Sequence, residues 1–126
     1  MELPQTTWDI NGGGVKGKLD PKVDPDGNLT GTVTFDGTPP HRIFGFWDKD
    51  ADRIVFTRVQ AQDQPEANQI YTGYAFVRPT PISGTGLPIE LVTLAGSFQA
   101  FAGDVNAQVN VFGWFATAFT GANPPV

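Results

Sequence analysis

Short runs in which apolar and hydroxyl-bearing side chains take turns recur along this chain, separated by clusters of Gly, Pro, Asp and Asn. The clearest run is Leu29, Gly31, Val33 and Phe35 interleaved with Thr30, Thr32 and Thr34. A period of two puts the first set on one face of a strand and the threonines on the other. Nowhere do apolar residues repeat at i, i+3, i+4 and i+7 over the length an amphipathic helix needs. Fifteen glycines and 11 prolines punctuate the chain, which points to strand and turn. The runs rich in Val, Ile, Thr, Phe and Tyr predict eight strands, at about residues 6–11, 14–19, 28–36, 41–48, 53–61, 69–78, 90–101 and 107–119.

The links between these runs are hairpin-like. Asp24-Pro25-Asp26-Gly27-Asn28 contains the Asp-Gly pair that supplies positive φ in a tight turn, and Asp48-Lys49-Asp50-Ala51-Asp52 is a polar cluster between two apolar strands. Further connections are expected at Gln62 to Ala67, Pro79 to Pro88 and Ala102-Gly103-Asp104. Sequential strands joined by short links favour an antiparallel meander. Eight such strands with one dry face close into an up-and-down β-barrel, which removes the exposed edges of an open sheet. The fold class is therefore all-β, with a single barrel domain over residues 1–126 and a Gly/Pro-rich tail, about 120–126, expected to be flexible.

Charge changes this picture in one respect. Of the 21 charged residues (8 basic, 13 acidic), only Arg78, Glu90 and Asp104 follow position 66. In the last two strands both alternate faces are apolar or small. Leu91, Ala95 and Phe101 oppose Val92, Leu94 and Phe98; Val109, Val111, Phe115 and Phe119 oppose Phe112, Trp114 and Ala116. A lone barrel needs one dry face per strand. The second dry face is expected to be covered too, by a long loop or by a neighbouring subunit; the short connections favour the subunit, hence a homo-oligomer, a dimer or tetramer assembled through the late strands.

The net charge of −5 disfavours nucleic acid and anionic membrane surfaces as partners, because affinity for both rests on Lys and Arg. Zero cysteines exclude disulfides and thiolate chemistry. The first residues show neither a basic nor an apolar signal-peptide region, and no apolar run approaches the roughly 20 residues of a membrane helix. A soluble protein is expected, of unknown compartment.

Catalytic chemistry is poorly supplied. There is one His, His41, and only two Ser, Ser83 and Ser97, so no catalytic residue is assigned and a multi-histidine metal site is out of reach. Asp48-x-Asp50-x-Asp52 has the spacing of a calcium loop's first ligands, but Arg53 and Ile54 begin a strand where the loop needs its glycine. A solvated turn is expected there, and no metal or cofactor.

The opening Thr7-Trp8, the segment Asp26-Gly27-Asn28-Leu29-Thr30-Gly31-Thr32 and the later Tyr71-Thr72-Gly73 resemble motifs of the avidin and streptavidin biotin-binding barrels, of calycin type. The resemblance implies an eight-stranded barrel whose mouth holds one small ligand, in a family that assembles through its last strands. It does not imply biotin. The family's ureido-binding Asn, Ser and Tyr fall at Ile10, Gly14 and Val33, and no carboxylate lies between Val109 and Phe119 to replace its Asp. Each loss leaves a buried ureido atom without a partner, at about 1–3 kcal/mol. Tyr71 stands as an aromatic substitute for a stacking tryptophan. By alternation Leu29, Gly31, Val33 and Tyr71 face inward, with Gly31 and Gly73 leaving space.

An eight-stranded barrel is just wide enough to be filled by its own side chains or to hold one small ligand. Three readings follow. The first is a non-catalytic binder of a small, largely apolar ligand, with Trp8, Asn11, Val33, Thr57, Tyr71, Thr93 and Asn110 as candidate ligand-binding residues. The second is a filled structural or interaction module. The third is an isomerase- or cyclase-like barrel relying on Asp9, Glu90, Tyr71 or His41. A cavity of roughly 300 Å³ or more separates the first from the second.

Overall fold

Strand alternation sorts the described strand side chains to the inside or the outside of a closed sheet. The computed structural model describes residues 1–60, 68–81, 88–100 and 110–121, with 79–81, 88, 89 and 121 by backbone alone. It contains β1 (Trp8–Gly12), β2 (Val15–Val23), β3 (Asn28–Phe35), β4 (His41–Asp48), β5 (Arg53–Val59), β6 (Gln69–Pro81), β7 (Pro88–Ala100) and β8 (Val111–Gly121). Each strand pairs antiparallel with the next, and β8 returns to β1 through Asn11 opposite Phe115 and Ile10 opposite Ala116. The result is the eight-stranded up-and-down barrel that the alternation predicts. The expected connections at 62–67 and 102–104, the strand positions Phe101 and Val109 and the tail 122–126 lie outside the described residues.

The registers bring one parity from each strand together inside. Trp8 faces Leu19, Leu19 faces Val33, Phe56 faces Tyr71, Tyr71 faces Phe98, and Leu94 faces Ala116. All of these are buried. Each large aliphatic or aromatic side chain removed from water this way contributes about 1.5–3 kcal/mol, which is why register is strongly specified here: a slip of one residue would turn the whole set outward.

Four strands, β2, β6, β7 and β8, run past an expected bound by two residues or more. β2 continues past residue 19 through a buried Pro21 to Val23, because Pro21 sits opposite Gly31. Gly31 has φ 131°, and a side chain there would strike the carbonyl oxygen of Asp20. Glycine is required at that point for the close approach of two backbones. β6 and β7 pair as far as Pro81 opposite Pro88, beyond Tyr74, where the ladder with β5 ends. On that free edge a proline forfeits no ladder bond.

Residues 1–5 close one end of the barrel. Trp8 Nε1 donates to the Pro4 carbonyl at 2.9 Å, Trp47 Nε1 to the Met1 carbonyl at 2.9 Å, and the Val23 amide to Gln5 Oε1 at 3.1 Å. Leu3 is buried against the same core. The turns at this end follow their sequence cues: Asp24 Oδ1 accepts from the amides of Asp26 and Asn28, Gly27 takes φ 89°, and Asp48 Oδ1 accepts from the amides of Asp50 and Ala51. The carboxylates of both hairpins thus serve the turns.

Candidate functional site: the barrel mouth

At the opposite end, where β1, β3, β5 and β7 finish and β2, β4, β6 and β8 begin, the inward parity changes character. Along β5 it runs Ile54, Phe56, Arg58, so an arginine is the last side chain that this strand turns into the barrel. Arg58 is 7% exposed. Its neighbours across the ladders are Ile43 on β4 and Gln69 on β6, and His41, two residues before Ile43 on the same face of β4, brings a second polar group beside it. Nη1 donates to Gln69 Oε1 at 3.0 Å, while Nη2 and Nε donate to His41 Nδ1 at 3.0 and 3.3 Å. The guanidinium lies over the ring of Phe35, 4.8 Å from its centroid, a cation–π contact. Gln69 Oε1 also accepts from the Tyr71 hydroxyl at 2.8 Å. Among the described residues no carboxylate pairs with Arg58.

Electrostatics follow from this packing. A guanidinium always donates, so His41 Nδ1 is an acceptor and the imidazole carries its proton on Nε2. Burial, and then the positive charge of Arg58, hold the His41 pKa below its ordinary 6.5. Burial pushes the Tyr71 hydroxyl above its ordinary value, against the opposing influence of Arg58. At neutral pH the site therefore contains one cation, one neutral imidazole, one amide and one phenol.

Beneath this polar cluster the barrel is filled. Phe56, Tyr71, Phe98 and Phe112, from four successive strands, form a column of rings with centroid separations of 4.7, 4.6 and 5.4 Å. Trp114 meets Phe56 and Tyr71 edge-on at 5.7 and 5.8 Å, and its Nε1 donates to the Thr72 carbonyl at 3.0 Å. Such pairs add about 0.5–1.5 kcal/mol each beyond simple burial. The space expected at Gly73 is taken by Trp114: a Cβ on Gly73 would lie 2.9 Å from Trp114 Cζ2 and 2.7 Å from the Ala95 carbonyl oxygen. What stays open is a cavity of about 240 Å³ at the mouth, lined by Gly12, Gly13, Val15, Phe35, Thr38, Arg58, Gln69, Tyr71, Phe98 and Phe112. That falls short of the roughly 300 Å³ set above as the mark of a ligand pocket, so the volume by itself sides with the filled module, and the mouth has room for no more than a molecule of about one ring.

The seven candidate residues fall in different places. Tyr71 lines the cavity. Trp8 and Val33 point inward but are fully buried in the core, Trp8 bonded to Pro4. Thr57 and Thr93 alternate with the buried pairs Phe56 and Arg58, and Val92 and Leu94, and so face outward. Asn11 caps the first turn by accepting from the Gly14 amide at 3.0 Å, and lines a separate groove on the outer wall with Asp9, Lys18 and Phe115. Asn110 is exposed, immediately before β8. Of the acid–base candidates, Asp9 lies outside and pairs with Lys18, Glu90 is exposed, and His41 and Tyr71 meet at the mouth through Arg58 and Gln69. Sequence reasoning missed Arg58 and Gln69. The signal was available in Ile54-x-Phe56-x-Arg58, a charge in phase with an inward apolar set.

A closed, chain-order barrel of eight antiparallel strands defines an avidin-like fold. The crystal structure of rhizavidin in complex with biotin is similar to this chain at 15% sequence identity, with a TM-score of 0.52, covering 96% of this chain and 99% of rhizavidin. No family model matches the sequence. No curated protein matches it either. The likeness is one of fold, and at the positions where the resemblance puts polar ureido contacts the barrel interior carries buried Ile10 and Val33. Among the described residues no helix is long and apolar enough to cross a membrane.

Proposed function

We propose that this barrel is a non-catalytic binding protein that holds one small, largely apolar ligand in its open mouth and works as a dimer or tetramer. The observation that carries the reading is the mouth cavity, walled by the faces and edges of Phe35, Tyr71, Phe98 and Phe112. Concave, mostly aromatic walls with a few convergent polar groups are the common form of a small-molecule site. Assembly is supported by the outer wall of the late strands, where Tyr74, Phe76, Phe115 and Phe119 stand 53, 62, 51 and 67% exposed. Large aromatic surface of this kind is what oligomers cover. Biotin is not the expected ligand, because Ile10 and Val33 offer no hydrogen bonds to a ureido group.

Native mass spectrometry of gently purified protein tests both parts. The expected spectrum is a multimer carrying a small molecule that denaturation releases. A bare monomer at micromolar concentration, with no thermal shift across a panel of one-ring compounds, would refute the reading. The filled aromatic column favours the alternative in that event, a barrel that serves only as an interaction or structural module.

A further inference from the structure

Among the described residues Arg58 has only neutral bonded partners. It is more than nine-tenths buried, its bonded partners His41 and Gln69 are uncharged, and it borders the mouth cavity. Desolvating a cation without an anion is costly, and proteins keep such a group where something else compensates it. Of the five guanidinium N–H groups, two are directed at His41 Nδ1 and one at Gln69 Oε1. These three bonds leave one N–H on each terminal nitrogen uncommitted.

The number and kind of free donors narrow the complement. Two N–H groups on one planar guanidinium match the two oxygens of a carboxylate. A single positive charge balances a monoanion, whereas a phosphate dianion would leave charge uncompensated beside a neutral imidazole. The walls next to Arg58 are ring surfaces and the cavity has about 240 Å³, which leaves room for a flat body of about one ring. We propose that the mouth ligand is a small, flat monocarboxylate, an aromatic or similarly planar acid, whose carboxylate is bound by Arg58. The inference rests on the reading that the mouth takes a ligand at all, and adds its chemical class.

Benzoate and its neutral isostere benzamide separate the two claims. In isothermal titration calorimetry against the wild-type protein, benzoate binds about 10- to 100-fold more tightly than benzamide, the range for a charge-assisted hydrogen-bonded pair. In Arg58→Met that preference falls to about one, and Arg58→Lys, which keeps the charge without the fork, retains an intermediate preference. Without ligand, Arg58→Met melts within about 4 °C of wild type or above it, since an unpaired buried charge has been removed. Equal affinity of the wild type for the two probes would overturn the acid class while leaving ligand binding standing. Binding of neither probe, together with a bare mass in the native spectrum, would end both claims. A fall of more than about 10 °C in ligand-free Arg58→Met would also overturn the proposal, because a loss of that size is what breaking an existing buried ion pair produces.

Discussion

Tyr71 is the middle of the aromatic column and also touches the polar cluster, so substitutions there weigh the two against each other. Tyr71→Phe deletes only the hydroxyl. The ring keeps its stacks on Phe56 at 4.7 Å and Phe98 at 4.6 Å, and Gln69 Oε1 still accepts from Arg58 at 3.0 Å. No buried acceptor is orphaned, so the cost is at the low end for a hydrogen bond, about 0.5–1 kcal/mol. Unfolding entropy of about 2.1 cal/mol/K per residue converts this to a drop of about 2–4 °C in Tm for a chain of 126 residues. Tyr71→Ala removes a ring that is 1% exposed, with both of its stacks and its edge contact to Trp114. A large-to-small change of that kind costs about 3–5 kcal/mol, or about 11–19 °C. Urea titrations followed by tryptophan fluorescence suit the measurement, because Trp114 sits edge-on to the altered ring. Should Tyr71→Ala lose no more than Tyr71→Phe, the column is not a packed core and the account of the filled interior fails.

Gly73→Ala is expected to destabilise by about 1–3 kcal/mol, since the added methyl group must displace Trp114 or push β7 away; a neutral or stabilising result in the same titration would show the position to be open space. Stability is expected to fall on acidification. The folded-state pKa of His41 is depressed, so the unfolded chain takes up the proton first; the contribution is complete above about pH 6.5 and is lost as pH drops through the folded value. Asp24, lowered chiefly by the hydrogen bond from the Asn28 side chain, adds a second loss beginning below its ordinary 3.8. Denaturant midpoints measured at pH 7.5, 6 and 5 should therefore decline, and His41→Asn should flatten the slope over that interval. An unchanged slope in the variant would remove His41 from the account.

Much of the architecture was legible because a period of two is a local property. Leu29 to Phe35 could be assigned a dry face from seven residues alone, and Asp26-Gly27 announced its turn through the φ that Gly27 adopts. The errors of extent came from prolines. Pro21, Pro79 and Pro81 read as breakers in isolation, and their tolerance depends on what lies across the ladder, Gly31 in one case and a free edge in the others. The role of residues 1–5 was hidden for a similar reason. Five residues with no alternation become a plug only when the carbonyls of Met1 and Pro4 meet the indoles of Trp47 and Trp8.

The site was less legible than the fold. Tyr71 was named, but Thr57 and Thr93 were grouped with it although they carry the opposite parity from the buried residues beside them. Alternation shows that two faces differ; it does not say which polar residues of different strands converge. His41, Arg58 and Gln69 stand on three strands, and their meeting depends on registers spanning β4 to β6. What the sequence determined by itself, then, was strand number, turn chemistry and the dryness of the late strands, all set by neighbours along the chain. Only the closed sheet decided that Gly73 gives its space to an indole and that Arg58 ends up as a desolvated charge at the mouth, because both follow from contacts between residues far apart in sequence, brought together by barrel closure.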